Sequence, residues 1–447
     1  MLNYSSYIFF GIFISLFLAS VIYFSGANPY FIAWIAFWFF LFLITSRTEK
    51  NILSPIWIVF FYLLTYFFIR PSFFLLNEST PYLFNNFAQD LNPILSTFIF
   101  VNIAYLPLIF GYYFGDKFKS ESTSIKNERY SESFLLLITI IIQVLVMISA
   151  AILVINFQGI ANIISIQSAL VKAIPESGFI IKLAFIFILI SFLPPALMLA
   201  RYGLKFKVFA IAILNTLLCL IFGRRLAIIS IFVPFITYYY FYKNKFSAYT
   251  GLAMYVVALF LLTSIVAFRI SNSAEAGISI IEESAEFFVW DMVLSVMNSY
   301  GNDTDLRYGL DFLPKQLLTY LELDGGLSDY PSIGESLVSV YFPFFQAGIP
   351  PGIFGLFYMQ GGFFGVAILS FLLGIFLRTI FNYFAKEIHN KVFFLTIFPF
   401  FIITTFHFVR VGDFWRIIIS QGRIFLLLYI IYYIINNFRF YKTSYGK

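Results

Sequence analysis

Apolar runs of membrane-crossing length recur along almost the whole chain, at roughly 6–25, 29–46, 51–69, 93–114, 134–156, 179–200, 208–222, 226–242, 248–268, 353–377, 392–409 and 424–438. About 20 residues rising ~1.5 Å each span the hydrocarbon core, so these runs predict twelve transmembrane helices. The expected fold class is an all-α polytopic membrane protein of about 12 transmembrane helices. Residues 1–268 carry helices 1–9 with short loops, 269–352 form one large external loop, and 353–447 carry helices 10–12 and a cytoplasmic tail.

Composition agrees and excludes the main alternatives. The 447 residues are 61% hydrophobic and only 11% charged, against about 25% charged in a soluble domain. That rules out a water-soluble globular enzyme, and disorder needs the opposite balance. The 63 Phe and 30 Tyr exceed what interfacial belts require, so many must face lipid or pack between helices. Cys219 is the single cysteine, so no intramolecular disulfide forms. The first run lacks a basic leader region and a cleavage site, and reads as a retained helix.

Orientation follows from the Lys and Arg content of the loops. The segments 47–50, 116–133, 201–207, 243–245, 378–391 and 439–447 hold 17 of the 28 basic residues but 6 of the 22 acidic ones. The net charge of +6 thus separates into +11 on this side and −5 on the other. The basic side is expected to be cytoplasmic, with both termini inside. Topology accounts for the positive charge, and nucleic acid is excluded as a partner.

The cations on the two sides differ in kind. The inner segments carry 12 Lys and 5 Arg; the outer ones carry 3 Lys and 8 Arg, at positions 70, 224, 225, 269, 307, 410, 416 and 423. The positive-inside bias acts on both types. Guanidinium binds phosphate as a planar fork and stays charged when partly buried, so the outer side looks built to hold an anion. The tightest instance is the turn Phe222-Gly223-Arg224-Arg225, where two like charges beside the hydrocarbon edge are costly without an anion. Snorkelling of both side chains to lipid headgroups is the plainer reading. A second group, His407, Arg410, Asp413, Arg416 and Arg423, has helical spacing from 407 to 416 and is expected to share a face; an internally paired interface helix explains it equally.

The external segment 269–352 is acidic. Residues 273–299 read as an amphipathic helix along the membrane surface, and 338–348 as a re-entrant or interfacial piece. Carboxylates here suit sugar hydroxyls or a general base, although most are expected to be solvated helix faces. Asp303 and Asp305 alone are a weak metal signal.

The stretch Ile349-Pro-Pro-Gly-Ile-Phe-Gly-Leu-Phe-Tyr-Met-Gln-Gly-Gly-Phe-Phe-Gly-Val resembles the Wzy-type O-antigen polymerases, the oligosaccharide repeat-unit polymerases. The Gly223-Arg224-Arg225 turn, the late external arginines and the single large loop before the last helices are similar to the same family. Leu356 stands where that family often has an acidic residue, and the nearest Gly-Glu is Gly334-Glu335. The resemblance implies a GT-C-like glycosyltransferase of the bacterial inner membrane, with its active site facing the periplasm. It would transfer a glycan from undecaprenyl diphosphate to a sugar hydroxyl of another lipid-linked unit, in O-antigen or surface polysaccharide biosynthesis. On this reading Arg224, Arg225, Arg269, Arg410, Arg416 and Arg423 hold the diphosphate, and His407 or Glu335 acts as base. Asp291 and Arg307 contact sugar. The reaction is expected to need neither metal nor cofactor. Implied partners are undecaprenyl diphosphate-linked oligosaccharides, membrane lipids and a chain-length regulator protein.

Two rivals share the setting. A lipid-linked oligosaccharide flippase calls for midplane charge and broken helices, whereas the runs here hold little beyond Asn102, Gln143 and Asn215. An O-antigen ligase usually has a histidine in its large loop, and 269–352 has none.

Overall fold

The computed structural model describes residues 29–77, 93–118, 132–160, 163, 178–222, 225–257, 288–300, 306–307, 337, 350–412 and 414–437. Among these the chain is helical, with no β-strand. In chain order the helices are α1 (Pro29–Thr48), α2 (Pro55–Leu63), a π turn (Leu64–Ile69) leading into α3 (Arg70–Asn77), α4 (Pro93–Gly115) and α5 (Glu132–Asn156). Then come α6 (Phe179–Leu189), α7 (Leu193–Tyr202), α8 (Phe206–Ile221), α9 (Arg225–Tyr242) and α10 (Ala248–Val257). The last are α11 (Val289–Ser299), α12 (Gly352–Lys386), α13 (Lys391–Val411) and α14 (Phe414–Asn437).

Among the described residues, seven helical stretches are long and apolar enough to cross a membrane: Phe31–Thr48, Pro55–Ser72, Pro93–Gly115, Glu132–Asn156, Phe179–Tyr202, Gly352–His389 and Lys391–Val411. Four shorter apolar helices accompany them. The protein is an all-α membrane protein. The expected first run at 6–25, the end of the run at 248–268, and the segment 338–348 lie outside the described residues.

The chain divides into two compact units. One comprises Met1–Lys117, Ser247–Leu377 and Phe408–Phe414. Its described core is aromatic: Trp38, Phe42, Trp57, Phe60 and Tyr105 are all buried, with rings meeting edge-on, as Trp57 and Phe60 do at 5.7 Å. Lipid tails are as apolar as these side chains, so packing and internal hydrogen bonds hold such helices together. Several of the buried polar handles are accordingly paired. Trp34 Nε1 donates to Ser72 Oγ at 3.1 Å, Trp57 Nε1 to the Glu49 carbonyl at 2.9 Å, and Thr45 and Tyr105 share a 2.7 Å hydrogen bond. Helices α4 and α12 approach through Gly111 and Gly374, where a Cβ on either would collide with the other's backbone.

The second unit comprises Phe118–Phe246, Arg378–His407 and Trp415–Lys447. Helices α5 and α6 pack on each other, as do α8 and α9. Gln143 and Asn215 exchange hydrogen bonds at 2.9 and 3.1 Å, and Asn215 also donates to the Ser191 carbonyl at 2.7 Å. Cys219 is buried 3.1 Å from Ser191 Oγ. Gln143, Asn215, Ser191 and Cys219 thus satisfy one another, as polar groups at membrane depth require.

The aromatic surplus is spent in both ways the composition suggested. Phe110, Tyr113 and Phe364 are largely exposed, whereas Phe100, Phe354 and Tyr62 are fully buried.

Candidate functional site

The first element of the site is the π turn Leu64–Ile69. It ends just before Pro71, which has no N–H to give to the helical ladder. Wider backbone geometry and hydroxyl donors commonly re-satisfy freed carbonyls near Pro in membrane helices. Ser72 Oγ donates to the Phe68 carbonyl one turn back at 2.6 Å. Single π turns recur at functional positions, and this one delivers Arg70.

Arg70 is 5% exposed and meets Asp291, 1% exposed and 221 residues away. Its Nε donates to Oδ2 at 2.5 Å and its Nη2 to Oδ1 at 3.3 Å, while the guanidinium lies 4.3 Å from the centre of the Phe288 ring. Burial pushes the Asp291 carboxyl above its ordinary range, with Arg70 pulling the other way. Desolvation therefore offsets much of what the pair gains, as is usual for a buried ion pair. Beside it, Trp290 Nε1 donates to Thr97 Oγ1 at 2.6 Å.

For its C-terminal part this corrects the surface-helix expectation for residues 273–299; residues 273–287 lie outside the described residues. Of that stretch, α11 is the described helix, and every residue from Val289 to Met297 is buried. Its apolar stripe was legible, but Asp291 and Ser295 on the other faces are enclosed as well. The helix packs against α4 and the π turn. Asp291, expected on sugar, has its carboxylate on Arg70.

Helix α12 is the second element. It is broken at Gly361 (φ −166°, ψ 29°) and Gly362 (φ 60°, ψ −150°). The latter conformation is essentially restricted to glycine. The piece before the break, Ile353 to Gln360, is buried on all sides. Such a break leaves carbonyls without their helical donors, and the backbone N–H of Arg307 donates to the Met359 carbonyl at 2.8 Å. Gln360 Nε2 donates to the Leu356 carbonyl at 3.3 Å, and Tyr358 OH to the Met297 carbonyl at 3.4 Å. Arg307 is thereby placed by its main chain at the broken end. The sequence predicted one run at 353–377; the two glycines make it two pieces.

Both glycines have open space where a Cβ would sit, so substitution there reads backbone conformation alone. Gly362→Ala is expected to destabilise the purified protein by about 1–3 kcal/mol. Gly361→Ala should cost clearly less, because its φ is extended. Thermal unfolding of both variants in detergent measures the difference; equal effects would remove the conformational argument.

The third element is the end of α13. Gly412 (φ 69°) terminates that helix, and a Cβ there would collide with the backbone of Gly352. Gly352 in turn lies against the buried hydroxyl of Tyr62, and Arg410 acts electrostatically on Tyr62. The chain ends two helices here because only glycine allows this crossing. His407 sits one turn before Arg410 and is half-buried.

Positions 407, 410 and 416 were expected to share one helical face. Instead the break at Gly412 places 407 and 410 on α13 and 416 on α14. Helix α14 starts at Phe414, ten residues before the apolar run at 424, so Arg416 and Arg423 are two turns apart on one helix. Arg423 is exposed. Arg225 opens α9; its side chain and that of Arg416 lie outside the description, as do Arg224, Arg269, Asp413 and Glu335 altogether.

Within the first unit the structure thus joins Arg70 to Asp291, seats Arg307 on the break in α12, and places Arg410 two residues before the helix end at Gly412. The sequence marked Arg70 as one of eight outer arginines, but nothing in it named the partner. No family model matches the chain, no curated protein matches it, and no solved structure matches it.

Proposed function

We propose that this protein polymerises lipid-linked oligosaccharide repeat units. A sugar hydroxyl of one unit attacks the anomeric carbon of a glycan on undecaprenyl diphosphate. The new C–O bond forms as the bond to the diphosphate oxygen breaks, and the hydroxyl proton passes to His407 or Glu335. Negative charge develops on the departing diphosphate, where preorganised cations stabilise it most. On this reading Arg224, Arg225, Arg269, Arg410, Arg416 and Arg423 supply that charge, and Arg307 borders the glycan. The chain would be GT-C-like, cross the bacterial inner membrane twelve times and face its chemistry to the periplasm.

The observation that carries the proposal is the segregation of arginine from lysine, with 8 of the 11 basic residues on the acidic side being Arg. Rigid placement of Arg410 and of the Arg307 main chain on glycine-defined breaks supports it, since electrostatic catalysis depends on cations that do not reorganise. The test is the glycan profile of a deletion strain. Loss of a polymerase leaves a single repeat unit on the lipid core. Bare core with carrier-linked chains would instead indicate a ligase.

One observation favours a second reading, a flippase for the same lipid-linked substrate. The break in α12 and the buried Arg70–Asp291 pair are features that transporters use at their substrate sites. In the same deletion strain a flippase defect traps single units on the cytoplasmic leaflet. A polymerase defect leaves them on the outer one.

A further inference from the structure

In the second unit, α7 gives way to α8 through a short loop that gathers cations. Lys207 Nζ lies 3.2 Å from the centre of the Tyr202 ring, and the Arg201 guanidinium carbon lies 4.6 Å from the same centre. The two charges are therefore no further apart than the sum of those distances. Lys205, in the same loop, is exposed. The facing carboxylate among the described residues is Glu132, whose carbonyl accepts from Arg201 Nη1 at 2.7 Å and whose carboxylate is 3.7 Å from Nη2. That carboxylate is 78% exposed, so it is well solvated and offsets little.

Local helix energetics do not explain the arrangement. Lys205 is the N-cap of α8 and Lys207 lies in its first turn, where no acidic residue is present. Cations there oppose the helix dipole, and topology alone would be served as well by lysines elsewhere in the loop. Interleaved with these charges are exposed apolar side chains: Leu204, Phe206 and Phe209 are 38%, 87% and 44% exposed. A phosphate carrying acyl chains satisfies both halves of the pattern, the cations by its charge and the apolar side chains by its tails.

We propose that the α7–α8 loop binds the headgroup phosphate of an anionic phospholipid, with Arg201, Lys205 and Lys207 around it and Tyr202 holding two of them in place. The site is independent of the glycan reaction and stands or falls separately from it.

The full-length protein, assembled in nanodiscs of phosphatidylglycerol and phosphatidylcholine, is extracted into mild detergent and its co-purifying lipid quantified by mass spectrometry. The wild type is expected to retain phosphatidylglycerol in excess of its share of the bilayer. K205Q/K207Q should reduce that excess by about fivefold per lysine removed. K243Q/K245Q removes the same charge from exposed lysines of the same unit and should leave the excess intact. Thermal unfolding of each variant confirms that it is folded. Equal losses from the two double variants would mean general surface charge and overturn the site. Displacement of the lipid by equimolar inorganic phosphate would mean a bare phosphate site and overturn the lipid assignment.

Discussion

Arg70→Ala is expected to destabilise the protein by about 3–5 kcal/mol, the range found when one partner of a buried ion pair is removed. The alanine leaves the Asp291 carboxylate, 1% exposed, without its guanidinium in a core that admits no water. Asp291→Ala should cost a similar amount by stranding Arg70 at 5% exposure. The combination Arg70→Met with Asp291→Leu is the informative one. It removes both charges and keeps volume, and replacements of that kind are often neutral. The measurement is a double-mutant cycle on the thermal unfolding of purified protein. Strong coupling, with the double variant more stable than either single one, supports a pair whose job is to hold α11 against the helix that begins at Arg70. Two mild and additive single effects would refute that role.

Arg224→Ala and Arg225→Ala are each expected to abolish long glycan chains while protein levels stay normal. Removing one preorganised donor from a site of developing negative charge typically lowers turnover by about 10²–10³. Chain length amplifies such a loss, because every added repeat requires another turnover. Arg→Lys at the same positions should recover little, since an ammonium cannot present the bidentate fork. The checks are the glycan ladder and an immunoblot of the same cells. Ladders of normal length would overturn the diphosphate role and leave snorkelling as the explanation. Arg410→Ala should resemble these variants rather than the Arg70 variant, because Arg410 is only half-buried at a helix end.

The regular elements were legible in detail. The run at 93–114 is the helix Pro93–Gly115, and that at 134–156 is Glu132–Asn156. Apolar length carries this information by itself, because lipid makes any other backbone state expensive. Interruptions were less legible. Pro71, Gly361-Gly362 and Gly412 each stand in plain view, yet a proline or glycine permits a break without requiring one. The Pro107 and Pro399 helices continue through their prolines. Whether the ladder breaks depends on which donors lie nearby, such as Ser72 Oγ or the Arg307 N–H, and those come from packing.

Charge followed the same division. The sequence sorts the 28 basic residues into two expected populations, because sidedness is a property of segments between apolar runs. It marked Arg70, Arg307 and Arg410 as belonging to one side. Tertiary structure then gave the three different settings: Arg70 is paired with Asp291, Arg307 is seated by its main chain on Met359, and Arg410 lies at the helix end that Gly412 closes. Pairing across 221 residues is decided by which helices pack together, and in a membrane that choice rests on close-fitting glycines and rings rather than on hydrophobicity. The sequence by itself determined that this chain lives in a membrane and where along it the charges fall. Only the packed helices decided which charges pair to hold the protein together, because pairing depends on which helices meet.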